Sequence, residues 1–257
     1  MPKNNNNNIK PKLSFHLFND GFFFSSFTES NYFLFEDLNP LVKKGFNEFL
    51  KFNEINKDNE PDIILFDNPS MFIPSDLFDF ENSENFLSNY TDIRSDHQII
   101  HDNTEDKKIK ILYQRNTKIE LTFGKYFNEI NYNHYTTILY DHLKKYIKLN
   151  YDNKLKLFVN LQRNQFDLFL FKGQDLLVYN SFPHSNNDDF LYYLFALIEQ
   201  HDLSINSFDI LFLEKYEIFK SYYLTINNFH EKVGFIENND KLIENINHPS
   251  PYFTNIL

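Results

Sequence analysis

The sequence predicts an α/β protein of two lobes, each built on a βββαβ unit with a mixed sheet and flanking helices. Two observations carry this reading. The acid-bounded apolar run DIILFD, residues 62–67, recurs as DILFLE, residues 209–214. Each copy closes the same series, three strand-like runs and then an amphipathic helix. The length of 257 residues also suits two lobes of about 100–150 residues better than one continuous core. Repeated supersecondary units commonly face each other across a ligand-binding cleft, so the positions beside the two runs are the first place to look for chemistry.

The expected organisation is an Asn-rich disordered tail over residues 1–10, an N-terminal lobe over 11–150 with an insertion at about 68–115, a C-terminal lobe over 151–240, and a loosely attached tail over 241–257. In the N-terminal lobe the run at 13–18 alternates, with Leu13, Phe15 and Leu17 against Ser14 and His16, the period of a half-buried strand. Asn19, Asp20 and Gly21 supply a hairpin turn before strand-like runs at 22–27 and 32–35. A helix is expected over residues 40–55, where Val42, Phe46, Phe49 and Leu50 share a stripe. The run at 62–67 is continuous rather than alternating, as in a strand covered on both faces. The insertion shows helix starts near Ser75 and Ser83, strands at 98–101 and 109–113, and a helical pattern at 119–127. The best-formed helix covers 136–148, with Ile138, Leu139, His142, Leu143, Tyr146 and Ile147 on one face.

A polar stretch at 150–153 leads into the second lobe. There Leu155, Leu157, Val159 and Leu161 alternate with Lys156, Phe158 and Asn160, followed by runs at 166–171 and 176–181. The next helix, about 188–200, opens with Ser185 and Asn186 as capping residues and with Asp188 and Asp189, whose charges suit the positive helix end. A further helix is expected at about 216–229 and a last strand at 233–236.

Composition narrows the function classes. A net charge of −11 repels nucleic acid and anionic membrane and removes the usual electrostatic basis for non-specific DNA binding. Cysteine is absent, which excludes disulfides, a thiolate nucleophile and a Cys-type zinc site. The start, MPKNNNNNIKPK, has no apolar signal region, and nowhere do about 20 apolar residues run together, so the expected setting is soluble and cytoplasmic. The 31 phenylalanines and 16 tyrosines follow AT-rich codon usage and are read as core filling.

The segment 158–200, with QRNQFDLFLFK and NSFP, resembles an uncharacterised domain-of-unknown-function family of Bacteroidetes proteins with an actin-like ATPase, ribonuclease H-like fold. Residues 13–27 and 67–78 fit the same family, and the resemblance covers nearly all of the chain apart from its two tails. The family carries no established activity. Through it, the resemblance implies a place in the wider actin-like group, whose ATPases hold nucleotide between lobes with two Asp-x-Gly hairpins and a paired-glycine adenosine loop. In such hairpins the carboxylate organises Mg²⁺ while glycine lets backbone N–H groups approach phosphate.

All three elements depart from that pattern here. The first hairpin has Gly21, but Asn19 two positions earlier, with Asp20 between them. The second has Asn160, Leu161 and Gln162 in place of Asp-x-Gly, and its turn carries Arg163 and no glycine. After DILFLE, where paired glycines belong, stand Glu214 and Lys215, and a carboxylate there repels phosphate. The degenerate cleft positions are therefore Asn19, Asp20, Gly21, Asn160, Gln162, Arg163, Glu214 and Lys215, with no catalytic residue, no metal site and no cofactor expected, ATP with Mg²⁺ being the alternative. Among them Arg163 is singled out, because a guanidinium in that turn suits an anion or a partner's carboxylate.

Other candidates have plainer explanations. His97 and His101, beside Asp96 and Asp102, share a face, but no third metal ligand follows from spacing, and exposed edge-strand histidines suffice. No G-x-S-x-G elbow occurs. Asp76, Asp79, Glu81 and Glu84 read as a solvated helix face. The leading expectation is a catalytically inactive actin-like protein that acts as a protein-binding or scaffolding module. Its rival is a divergent nucleotide-binding or phosphoryl-transfer enzyme with ligands moved to Asn19, Asp20, Asn160 and Gln162. The resemblance also implies a third, an accessory to rRNA modification acting through a protein partner. A protein partner is expected in the first and third cases, without direct nucleic-acid or membrane contact, and the oligomeric state stays open.

Overall fold

The computed structural model describes residues 13–25, 30–34, 50–51, 55–236 and 248–255. The Asn-rich lead, most of the helix expected over 40–55 and residues 241–247 of the C-terminal tail lie outside them. The chain divides into two compact units, Met1–Ile138 and Leu139–Leu257.

The first unit contains strands β1 (Ser14–Leu17), β2 (Gly21–Ser25), β3 (Ser30–Leu34), β4 (Asp62–Leu65), β5 (Ser70–Pro74), β6 (His97–Asn103), β7 (Ile109–Asn116) and β8 (Asn131–His134), with helices α1 (Ser83–Ser88) and α2 (Thr117–Phe123). Helix α3 (Tyr135–Leu149) begins in this unit, and the division falls inside it. The main sheet has the order β3-β2-β1-β4-β8, antiparallel through β3, β2 and β1 and parallel from β1 through β4 to β8.

Strand β1, antiparallel to β2 and parallel to β4, is covered on both faces. One face gives Phe15 to a cluster of Phe22, Phe24, Ile63, Leu65 and Phe123. The other, expected to face water through Ser14 and His16, is buried as well. His16 is 0% exposed, shares a hydrogen bond with Ser14 Oγ at 3.1 Å, and lies against the rings of Phe23 and Phe66. Phe66 in turn stacks on Tyr135 at 4.9 Å, so the apolar run after Asp62 is sandwiched.

The insertion forms a second, antiparallel sheet of order β5-β7-β6. The helix start expected near Ser75 is corrected: the segment before it is β5, and the chain turns after it. The helical start lies further on, where the Asp79 carboxylate accepts the Glu81 N–H at the head of a 3₁₀ turn, Phe80–Asn82, leading into α1. The helical pattern expected at 119–127 is α2, which the Asn116 side chain caps by accepting the Lys118 N–H and which stops before Gly124. Strand β8, whose sequence NYNH has no apolar signature, was not anticipated; its place at a sheet edge explains why. Asp102 ties β6 to the start of α3, accepting from the His134 N–H at 2.7 Å, Thr137 Oγ1 at 2.7 Å and Tyr113 OH at 2.8 Å.

The second unit contains β9 (Leu155–Leu161), β10 (Gln165–Lys172), β11 (Asp175–Pro183), α4 (Asn187–Gln200), β12 (Asp209–Leu213), α5 (Lys220–Asn227) and β13 (Val233–Ile236). Its sheet, β11-β10-β9-β12-β13, repeats the order and the strand directions of the first unit. The runs DIILFD and DILFLE thus supply the same strand, β4 and β12, each parallel to the first strand of its unit. One face packs Leu157, Val159, Phe166 and Leu168 against Phe190, Leu194 and Leu197 of α4 and against Tyr222 and Ile226 of α5. The opposite face is buried too: Phe158 meets Tyr146 of α3 edge-on at 6.0 Å, and Lys156 is 8% exposed with its Nζ 3.1 Å from Asp152.

Candidate functional site

In each unit the first strand and the DILF-type strand run parallel, so their C-terminal ends lie together, and the loops that follow are where an open α/β sheet builds a site. In the first unit the β1–β2 turn closes with the Phe18 N–H donating to Gly21 O at 2.9 Å. The Asn19 N–H donates to the Asp67 carboxylate at 2.5 Å, and Tyr32 OH donates to Asp20. Burial pushes the Asp67 carboxyl above its usual range; the Asn19 N–H offsets part of this and the Asp20 charge adds to it. Asn19, Asp20 and Gly21 are thereby brought together with Asp67, which closes the DIILFD run.

The second unit holds its turn more completely. Gln162 N–H donates to Gln165 O at 2.9 Å, and Gln162 O accepts from His184 Nε2 at 2.9 Å. Asn160 Nδ2 and Gln162 Nε2 both donate to Asp167 Oδ2, at 2.8 and 2.9 Å, and Asp167 is 0% exposed. The Arg163 N–H donates to Pro249 O at 2.7 Å, so the C-terminal segment closes over the turn. That segment ends in a 3₁₀ turn, Pro251–Asn255, and buries His248, Ser250, Tyr252 and Phe253. Tyr252 OH shares a hydrogen bond with His142 Nε2 at 2.8 Å. Burial, with the Arg163 charge as a lesser cause, pushes His248 down to about 3, and its Nδ1 accepts the Ser250 N–H at 2.9 Å.

Glu214 follows β12 at φ 63, in the left-handed region that glycine favours. The backbone at this position therefore has the conformation of a glycine loop, occupied by a glutamate whose Oε2 accepts from Tyr216 OH at 3.0 Å. Burial first, and then the Glu214 charge, pushes the Tyr216 phenol up. Lys215 is exposed and lies over the Phe235 ring at 5.6 Å.

Asp167 was missed in the sequence, although a single acid inside the apolar run QFDLFLFK is a visible signal for a buried, bonded carboxylate. His97 corrects the reading of exposed edge histidines: β6 is an edge strand, yet the His97 side chain is only 6% exposed. His101 packs beside the rings of Phe78 and Phe80. Among the described residues no group of three or more His, Asp or Glu is placed to hold a metal ion, and no helix is long and apolar enough to cross a membrane.

Two five-stranded mixed sheets of identical order, with flanking helices, define an actin-like ATPase fold. A Bacteroides thetaiotaomicron protein with this fold and unknown function matches with a TM-score of 0.70 at 17% identity, over 88% of this chain and 90% of that one. The PilM–PilN type IV pilus biogenesis complex matches with a TM-score of 0.50 at 8% identity, over 94% of this chain and 95% of that one. The chain belongs to DUF3822, a family of proteins of unknown function, which it matches over residues 3–233. The curated proteins give no match.

Proposed function

We propose that this chain is a catalytically inactive actin-like protein that works in the cytoplasm as a protein-binding or scaffolding module, without bound Mg-nucleotide. One observation carries the reading: the second hairpin spends its donors on the protein itself. The Asn160 and Gln162 amides, which a displaced phosphate site would need, converge on Asp167, and the Arg163 N–H is taken by Pro249. A phosphate entering there would have to break these bonds and leave a fully buried Asp167 carboxyl without its amide donors, at a cost of about 1–3 kcal/mol. Two further features support it. Glu214 puts a carboxylate where the paired-glycine loop of an active relative approaches nucleotide. One structure of like fold is a complex of two proteins, PilM with PilN. The charge of −11 disfavours nucleic acid and anionic membrane as the partner.

Isothermal titration of the full chain with Mg-ATP and with Mg-GTP tests the reading. The expected result is no saturable heat. Micromolar binding that Arg163→Ala or Lys215→Ala weakens would overturn it and establish the nucleotide-binding rival.

A further inference from the structure

The first unit carries a partly open cavity of about 160 Å³ at the C-terminal ends of β1 and β4. Leu17, Leu65 and Ile119 form its apolar wall, and Asp67, Arg94 and His97 contribute charge and hydrogen-bonding groups. Its size lies below the roughly 300–1,000 Å³ of pockets for drug-sized ligands, and it suits a small anionic group.

Arg94 comes from the loop that enters β6 and His97 is the first residue of that strand, and the loop is fixed from beneath. Gln114, 4% exposed, accepts the Arg94 N–H at 2.8 Å through Oε1 and donates from Nε2 to Asp92 O at 2.8 Å. The His97 N–H donates to Arg94 O at 3.1 Å. The backbone is therefore placed by a buried amide, while the Arg94 guanidinium has no hydrogen bond or ion pair among the described residues. Arg115, by contrast, pairs with Glu120 at 3.1 Å and lies over the Tyr132 ring.

The His97 ring is buried and oriented. Asp96 Oδ1 accepts from Nδ1 at 2.8 Å, and Lys118 holds the other Asp96 oxygen at 3.4 Å. His97 lines the cavity, and its Nε2 has no partner among the described residues. A side chain 6% exposed with one ring nitrogen fixed and the other unpartnered is the arrangement of a pre-positioned ligand group. Asn116 also lines the cavity, and its Oδ1 is engaged as the cap of α2.

We propose that this cavity binds a small organic anion, whose carboxylate or phosphate oxygens are held by the Arg94 guanidinium and His97 Nε2. Guanidinium matches two oxygens of either group at once. Asp67 stands on the same wall with Oδ2 engaged by the Asn19 N–H, and it suits a ligand that carries a hydroxyl or amine beside its anionic group. The site is independent of the protein-binding reading and stands or falls separately from it.

The test follows the histidine ring nitrogens of the full-length, ¹⁵N-labelled chain by NMR while inorganic phosphate or, separately, acetate is added at fixed ionic strength. His97→Gln identifies the His97 signals. A saturable change at His97 is expected with at least one anion, and which of the two binds more tightly separates phosphate from carboxylate as the natural group. Arg94→Gln, at an exposed and unpaired side chain, leaves the fold intact and is expected to weaken the response at least about tenfold, whereas Arg163→Gln leaves it unchanged. No response to either anion, a response linear in concentration, or one that Arg94→Gln does not weaken would overturn the proposal.

Discussion

His134 is fully buried, and both of its ring nitrogens are hydrogen-bonded. Nε2 donates to Asn68 O at 2.7 Å, while Nδ1 shares a hydrogen bond with Thr136 Oγ1 at 2.7 Å and accepts the Thr136 N–H at 3.3 Å. Burial is the main cause that pushes its pKa from 6.5 down to about 4. A folded pKa below the unfolded one means stabilisation fully present above about pH 6.5 and lost as pH falls through about 4. The amount is about 3 kcal/mol at most, taking ~1.36 kcal/mol per pKa unit. Asp67 and Asp102 run the other way, because burial raises both: their contribution is present below the unfolded carboxyl range and lost as pH rises through the raised values. Comparing the chain with His134→Gln isolates the histidine. The stability difference between the two, read from urea unfolding, is expected to shrink by about 3 kcal/mol between pH 7 and pH 4. The environment of His134 is not legible in the sequence. That environment depends on Asn68, 66 residues away, which no local pattern can specify.

At the scale of the element, α4 ends in a Schellman motif: the Leu203 N–H donates to Ile198 O at 2.9 Å and the Asp202 N–H to Glu199 O at 3.1 Å. Asp202 occupies the position that glycine prefers, at φ 49, and is exposed. Asp202→Gly removes the left-handed penalty without disturbing a buried group, and it is expected to raise stability by about 1 kcal/mol in urea unfolding. The same exchange at Glu214 is not equivalent, since Glu214 is 3% exposed and bonded to Tyr216. The N-terminus of α4 was legible in the sequence and came out as read: Asn186 accepts from the Asp188 and Asp189 N–H groups at 2.8 and 3.0 Å. Capping works over a few residues of chain, so its signal is local. Strands β5 and β8 were not read from the sequence, because their place comes from β7 and β4, distant partners that complete their hydrogen bonds.

At the scale of the molecule, the C-terminal segment becomes part of the second unit. Tyr252 and Phe253 are each 1% exposed, and two fully buried aromatic side chains contribute on the order of 5 kcal/mol. A chain ending at residue 247 is therefore expected to lose about that much stability, measured by far-UV circular dichroism in urea, the protein having no tryptophan to report by fluorescence. An unchanged midpoint would show that the segment adds nothing. The sequence by itself determined the strand runs other than β5 and β8, the order of elements in the second unit, the absence of cysteine chemistry and the absence of an Asp-x-Gly pattern at both hairpins, because periodicity, turn residues and residue type are properties of short stretches. Only the tertiary structure decided that the polar faces of β1 and β9 are buried, that Asn160 and Gln162 meet Asp167, that the segment after His248 covers the Arg163 turn, and that Arg94 and His97 share a cavity. Each of these depends on which residues distant in sequence approach one another, and burial and hydrogen-bond partners are set by that approach rather than by the pattern of any one run.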